Sequence, residues 1–132
     1  VDGSGMSRDN RITARSLVEV IHAMSRDPAM SRPFLQSLSV GGQDGTLRNR
    51  FSDLKGSVVL GKSGYINKVS TLSGMVIVSD TSRPGGLRTI QFALMFNDFE
   101  PPVYVHQVRD VQNKLVKMIH EHLHAQGAVP VN

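Results

Sequence analysis

The chain has 132 residues, 39% of them hydrophobic and 20% charged, with a formal net charge of +4 and no cysteine. That is enough chain for one domain with a real core; it excludes disulfides and thiolate metal ligands, and no apolar run approaches the about eighteen residues of a membrane-spanning helix. The fifteen basic residues are scattered and few aromatics lie among them, so the charge reads as solvated surface rather than a nucleic-acid footprint. Val1-Asp2-Gly3-Ser4-Gly5 opens without methionine or a signal-peptide pattern, and reads as the interior of a processed or truncated chain.

Thr13 can cap a helix running to about Arg26. Leu17, Val18, Ile21 and Met24 recur there at helical spacing, and Asp27-Pro28 stops it. A short helical turn follows Ser31, with Pro33 near its first position. The segment "SVGGQDGTLRNRF" then reads as loop. From Ser57 the period changes, and Val58–Gly64, Thr71–Ser79 and Leu87–Asn97 read as strands. "SDTSRPGG" makes the last two an antiparallel hairpin. In the last strand Ile90, Phe92, Leu94 and Phe96 alternate with Thr89, Gln91, Ala93 and Met95, a second face only half polar, so both faces are expected to be covered. Pro101-Pro102 breaks the chain. A final helix is expected from about Tyr104 to Ala125, with Val108, Val111, Leu115, Met118, Ile119 and Leu123 as its buried stripe and Gly127 as its stop. This order of elements gives an α+β layer, helices lying on an antiparallel sheet.

Lys62-Ser63-Gly64 stands out at the start of a strand. Lysine supplies a fixed positive charge, and serine a hydroxyl that donates and accepts. Glycine lets another backbone approach. Together they suit an anionic, peptide-like ligand laid along a sheet edge, although a snorkelling lysine before a bulge would read the same. Ser7-Arg8-Asp9-Asn10, just before the first helix, places a hydroxyl and a carboxamide on a Gly-flanked loop. There they could hold a proton path and a substrate amide, or simply form a polar helix entry.

With "DGSGMSRDNRIT" followed by "GKSGYINKVSTLSG", the sequence resembles the penicillin-binding D-alanyl-D-alanine carboxypeptidases/endopeptidases, which combine an S-x-x-K nucleophile motif, an S-x-N motif and a K-T-G strand. The resemblance spans nearly all of residues 1–132 as the C-terminal segment of one such catalytic domain. It implies that Ser7 relays a proton, that Lys62 keeps this relay poised, and that Ser63 binds a terminal carboxylate. Gly64 and Tyr65 then continue the strand that pairs with substrate and lends an oxyanion-hole N–H. The family's Asn stands two residues after its Ser, where this chain has Asp9; Asn10 is one further on, and either could fill the substrate-binding role. Ser63 replaces Thr and keeps the hydroxyl, and Lys68 stands where small residues are usual and could crowd the cleft. The implied partners are peptidoglycan stem peptides ending in D-Ala-D-Ala, β-lactams, and a missing upstream segment carrying S-x-x-K. No cofactor is implied, and the setting is periplasmic or otherwise extracytoplasmic.

Two other strings compete. Ser52-Asp53-Leu54-Lys55 matches S-x-x-K, but Gly56 follows at once, so it does not open an apolar helix and reads as coincidence. "HEHLH", with His120, Glu121 and His124, matches H-E-x-x-H; a further ligand position holds Pro130, so helix-end histidines beside the C-terminal dipole explain it better than zinc. The alternative to an enzyme is a non-catalytic module that binds peptidoglycan peptides or a partner protein.

Overall fold

The computed structural model describes Ser7 and residues 9–127. Helix α1, Ala14–Arg26, starts where expected: Thr13 is extended, and its hydroxyl accepts from the Ser16 N–H at 3.0 Å. Helix α2, Ser31–Gln36, follows at once. The segment expected to be loop contains a two-residue strand β1, Ser39–Val40, and a 3-10 turn, Gly45–Leu47. Three long strands then run consecutively, β2 at Ser57–Ile66, β3 at Val69–Ser79 and β4 at Leu87–Asn97. Helix α3, Val105–Gly127, is the last of the described elements. Among the described residues the sheet therefore has four strands rather than three, in the order β1-β2-β3-β4, each antiparallel to its neighbour.

Directly paired residues share a face of the sheet. On one face lie Val59, Val76 and Ile90, with Gly61, Gly74 and Phe92 beside them and Ser63, Leu72 and Leu94 beyond. The other face carries Leu60, Met75 and Gln91, then Lys62, Ser73 and Ala93. The first face holds the main core, where Val59, Leu72, Val76 and Phe92 pack with Val116 and Leu123 of α3 and with Leu47, Phe51 and Leu54 of the preceding loop. Each such side chain, fully buried, contributes about 1.5–3 kcal/mol. α1 covers the second face: His22 Nδ1 lies 3.1 Å from Gln91 Oε1, and Gln91 donates to Ser25 at 3.2 Å. The mixed pattern of β4 thus has its cause, since a helix sits on each side.

Gly74 is required by close approach. A side chain there would collide with the Leu60 carbonyl, and at Gly61 it would meet Leu47 at 3.3 Å. The β3–β4 hairpin is tied by Arg88, which donates to Asp80 at 2.5 Å and to the Leu123 carbonyl at 3.1 Å. Hydrogen bonds from Ser82 and then Arg88 hold the Asp80 carboxyl at about 2.

The expected stripe of α3 needs correction. Val108, Val116 and Leu123 are buried, but Val111 is 43% and Met118 61% exposed. Gln112 is fully buried in their stead. Its amide donates to Ser70 Oγ at 3.3 Å, and its carbonyl accepts from Arg50 at 3.1 Å, which meets the condition for burying a polar group. No helix among the described residues is long and apolar enough to cross a membrane.

Candidate active site

Within β2, backbone hydrogen bonding decides which residues face outward. The Val59 carbonyl accepts from Gly41 N–H at 2.8 Å, on the β1 side. In an antiparallel strand the N–H and C=O of one residue point the same way, and the direction alternates. Val59, Gly61, Ser63 and Tyr65 therefore present backbone to the outer edge. β1 reaches only Leu60 and Gly61. Among the described residues no strand continues along that edge, so Ser63 and Tyr65 sit on open backbone.

The side chains follow the same alternation. Lys62 points to the α1 face, yet its ammonium folds back to the edge and donates to the Ser63 carbonyl at 2.5 Å. Ser63 lies on the α3 face, and its hydroxyl donates to Thr46 Oγ1 at 2.7 Å. Gly64 is constrained from within the sheet, because a Cβ there would fall 2.6 Å from Thr71 Oγ1. Tyr65 is 56% exposed, and the Arg109 guanidinium sits 6.0 Å from its ring centroid. Lys62, Ser63 and Tyr65 thus combine a cation, a hydroxyl and peptide groups without a strand partner along one edge, the Ser63 carbonyl being held by Lys62.

Beyond Tyr65 the edge opens into a groove of about 540 Å³ bordered by Lys68, Phe99 and Tyr104. Lys68 stands where it could crowd the cleft. It occupies the β2–β3 turn with φ 62 and is ion-paired with Glu100.

Ser7, Asp9 and Asn10 form a tight turn before α1. Ser7 Oγ accepts from the Asp9 N–H at 3.2 Å, and Asn10 N–H donates to the Ser7 carbonyl at 3.4 Å. Ser7 and Asn10 are half-buried and Asp9 is exposed. The turn feeds α1, the helix on the sheet face that carries Lys62. The string Asp2–Met6 that precedes it, and Arg8, lie outside the described residues.

The competing strings resolve differently. Ser52 and Asp53 are exposed in a turn that leads to buried Leu54, and neither is part of a helix. His120 and His124 converge on Ser57 at the start of β2, with Ser57 Oγ 2.7 Å from His120 Nδ1 and 3.2 Å from His124 Nε2. One hydroxyl proton cannot serve both rings, so when one ring accepts from Ser57 the other must donate to it. Burial lowers the His120 pKa, with neighbouring His124 the second cause. No group of three or more His, Asp or Glu suited to a metal occurs among the described residues.

Thr46 and Ser57 carry no chemical role in the sequence reading. Neither lies in a motif, and each gains its meaning only from a partner distant in the chain.

A family model described as the D-Ala-D-Ala carboxypeptidase 3 (S13) family matches residues 1–122. The chain is 39% identical over 108 residues to Carboxypeptidase DacB of Mycolicibacterium smegmatis, covering 76% of this chain and 22% of that protein. It is 30% identical over 128 residues to Penicillin-sensitive carboxypeptidase A of Dictyostelium discoideum, covering 90% and 23% respectively. Against the D-alanyl-D-alanine carboxypeptidase of an Actinomadura species it is 33% identical over 107 residues, covering 76% and 18%. The chain thus spans about a fifth of the length of these relatives. No solved structure matches it.

Proposed function

The chain belongs to the S13 family of D-Ala-D-Ala carboxypeptidases, and from that premise we propose that it supplies one wall of a β-lactam-sensitive carboxypeptidase/endopeptidase site for peptidoglycan stem peptides. The observation that carries this reading is the open edge of β2 at Ser63 and Tyr65, with Lys62 beside it. An extended peptide can add to such an edge, gaining main-chain hydrogen bonds without rearranging the sheet.

In this reading a serine from an S-x-x-K motif, contributed from outside these residues, attacks the penultimate carbonyl of a peptide ending in D-Ala-D-Ala. The Tyr65 N–H donates to the developing oxyanion. Ser63 holds the terminal carboxylate, Lys62 sets the positive field, and Ser7 passes a proton to the leaving D-alanine amine. Asp9 or Asn10 holds the substrate amide. Water then releases the acyl-enzyme. The mechanism requires Ser7 and Lys62 to converge within about one hydrogen bond or one water; α1, which the Ser7 turn feeds, already lies on the Lys62 face. Such a substrate places the enzyme outside the cytoplasm.

The test is covalent labelling of the complete protein with a fluorescent penicillin, alongside release of D-alanine from a stem-peptide analogue. Labelling and release, both abolished by replacing the upstream serine, are expected. A protein that binds peptidoglycan peptides but is never acylated would instead be a non-catalytic module.

A further inference from the structure

Ser63 alone is a poor resting anchor for an anion, because its only hydroxyl proton is already given to Thr46. A hydroxyl has one proton and two lone pairs, so Ser63 as found presents lone pairs, not a donor, to an approaching carboxylate. Thr46 is the acceptor in that contact, and its own proton is directed at none of the described residues. We infer that Thr46 is a positioning residue for the terminal carboxylate: when the anion arrives, the Thr46 hydroxyl donates to Ser63 Oγ, and the Ser63 proton turns outward to the carboxylate. The inference rests on the carboxypeptidase reading above. Protons balance, since two hydroxyls supply two protons, one for the bond between them and one for the ligand in either arrangement. The shared hydrogen bond reverses, with a small rotation of the Thr46 side chain, since as found only Ser63 has donor geometry in that contact.

The loop is built to hold Thr46 in place. Asp44 accepts from the Val40 N–H at 2.7 Å, and Gly42 N–H donates to the Leu47 carbonyl at 3.0 Å. Leu47, the next residue after Thr46, is wholly buried in the core. Gly45 adopts φ +51, in the left-handed region, and a side chain there would collide with Ser39. Thr46 is thus fixed on one side by a buried leucine and on the other by a glycine turn, with its hydroxyl 2.7 Å from Ser63. A Ser63 proton polarised by a second hydroxyl makes a stronger bond to an anion than an isolated one.

The experiment uses the complete protein with a peptide ending in D-Ala-D-Ala and the same peptide capped as its C-terminal amide. Thr46→Val keeps the shape and removes the hydroxyl. It is expected to raise KM for the free acid roughly fivefold, with kcat nearly unchanged and turnover of the amide unaffected, so that acid-over-amide preference falls by the same factor. Thr46→Ser is expected to restore wild-type values. An unchanged acid-over-amide ratio in Thr46→Val would overturn the inference, as would a Thr46→Ser variant impaired equally. Thr46→Ala, checked by thermal melting, repeats the measurement should valine disturb the loop. A wild-type protein that is acylated by penicillin yet shows no preference for the acid would remove the anchor while leaving the carboxypeptidase reading intact.

Discussion

The two ends of β2 make opposite use of a serine. At Ser57 the hydroxyl is closed in by two imidazoles from the last turns of α3, 2.7 and 3.2 Å away. At Ser63 a hydroxyl of the same chemistry is held from one side by Thr46, and the outer edge of the strand beyond it has no strand partner among the described residues. A serine near bases is therefore not enough to mark a reaction centre. What separates the two ends is whether peptide groups remain available to receive another chain.

The largest expected effect falls at the open end. In the complete protein Lys62→Ala should slow penicillin acylation about a hundredfold to a thousandfold, the weight of one preorganised electrostatic group. A labelling rate unchanged in this variant would mean that chemistry does not use this edge. On β3, opposite the middle of β2, Gly74→Ala would drive a methyl group against the Leu60 carbonyl and disturb both ends together. A loss of about 1–3 kcal/mol in denaturant unfolding is expected, as for other overpacked sites. A neutral result would show that β2 and β3 can separate locally.

At the closed end the expected effect is pH-dependent. Because burial lowers the His120 pKa below its ordinary 6.5, the folded chain favours the neutral ring. The stability this ring contributes is complete above 6.5 and is lost as pH falls through the lowered value. Thermal midpoints should decline across that interval, and His120→Gln should flatten the decline. Equal pH profiles for the two proteins would place the sensitivity elsewhere. The smallest effects should come from Ser52→Ala and His124→Ala, each leaving penicillin acylation within about twofold, since neither side chain touches the open edge. Loss of labelling in Ser52→Ala would make Ser52 the nucleophile. A chelator-sensitive activity lost in His124→Ala would favour zinc.

Much of this was legible in the sequence. Thr13 marked the start of α1, and the preceding turn with the strand-forming run Leu87–Asn97 gave both ends of β4, because these signals are local. Lys62-Ser63-Gly64 was visible as an anomaly within a strand pattern. β1 was not, since two residues carry no period and their pairing with Leu60 and Gly61 is decided by the fold. Thr46 was missed for a similar reason: a hydroxyl in a glycine-rich loop gains its role only when Leu47 is buried and the loop folds back over β2. In α3 the stripe was legible in part: Val108 and Leu123 are buried as expected, whereas Val111 and Met118, expected inside, are found outside.

That misreading exposes what Gln112 does for the molecule. α3 carries apolar residues, Val111 and Met118, outside its buried stripe, so apolar contact alone does not single out one rotational setting of the helix. Rolling would strip the Gln112 amide of Ser70 and Arg50 and leave the buried Ser70 hydroxyl without that partner. An orphaned buried polar group costs about 1–3 kcal/mol, enough to make the rolled arrangement a minor species. Gln112 therefore acts as a key that admits one rotational setting of the helix, and that setting brings His120 and His124 over Ser57.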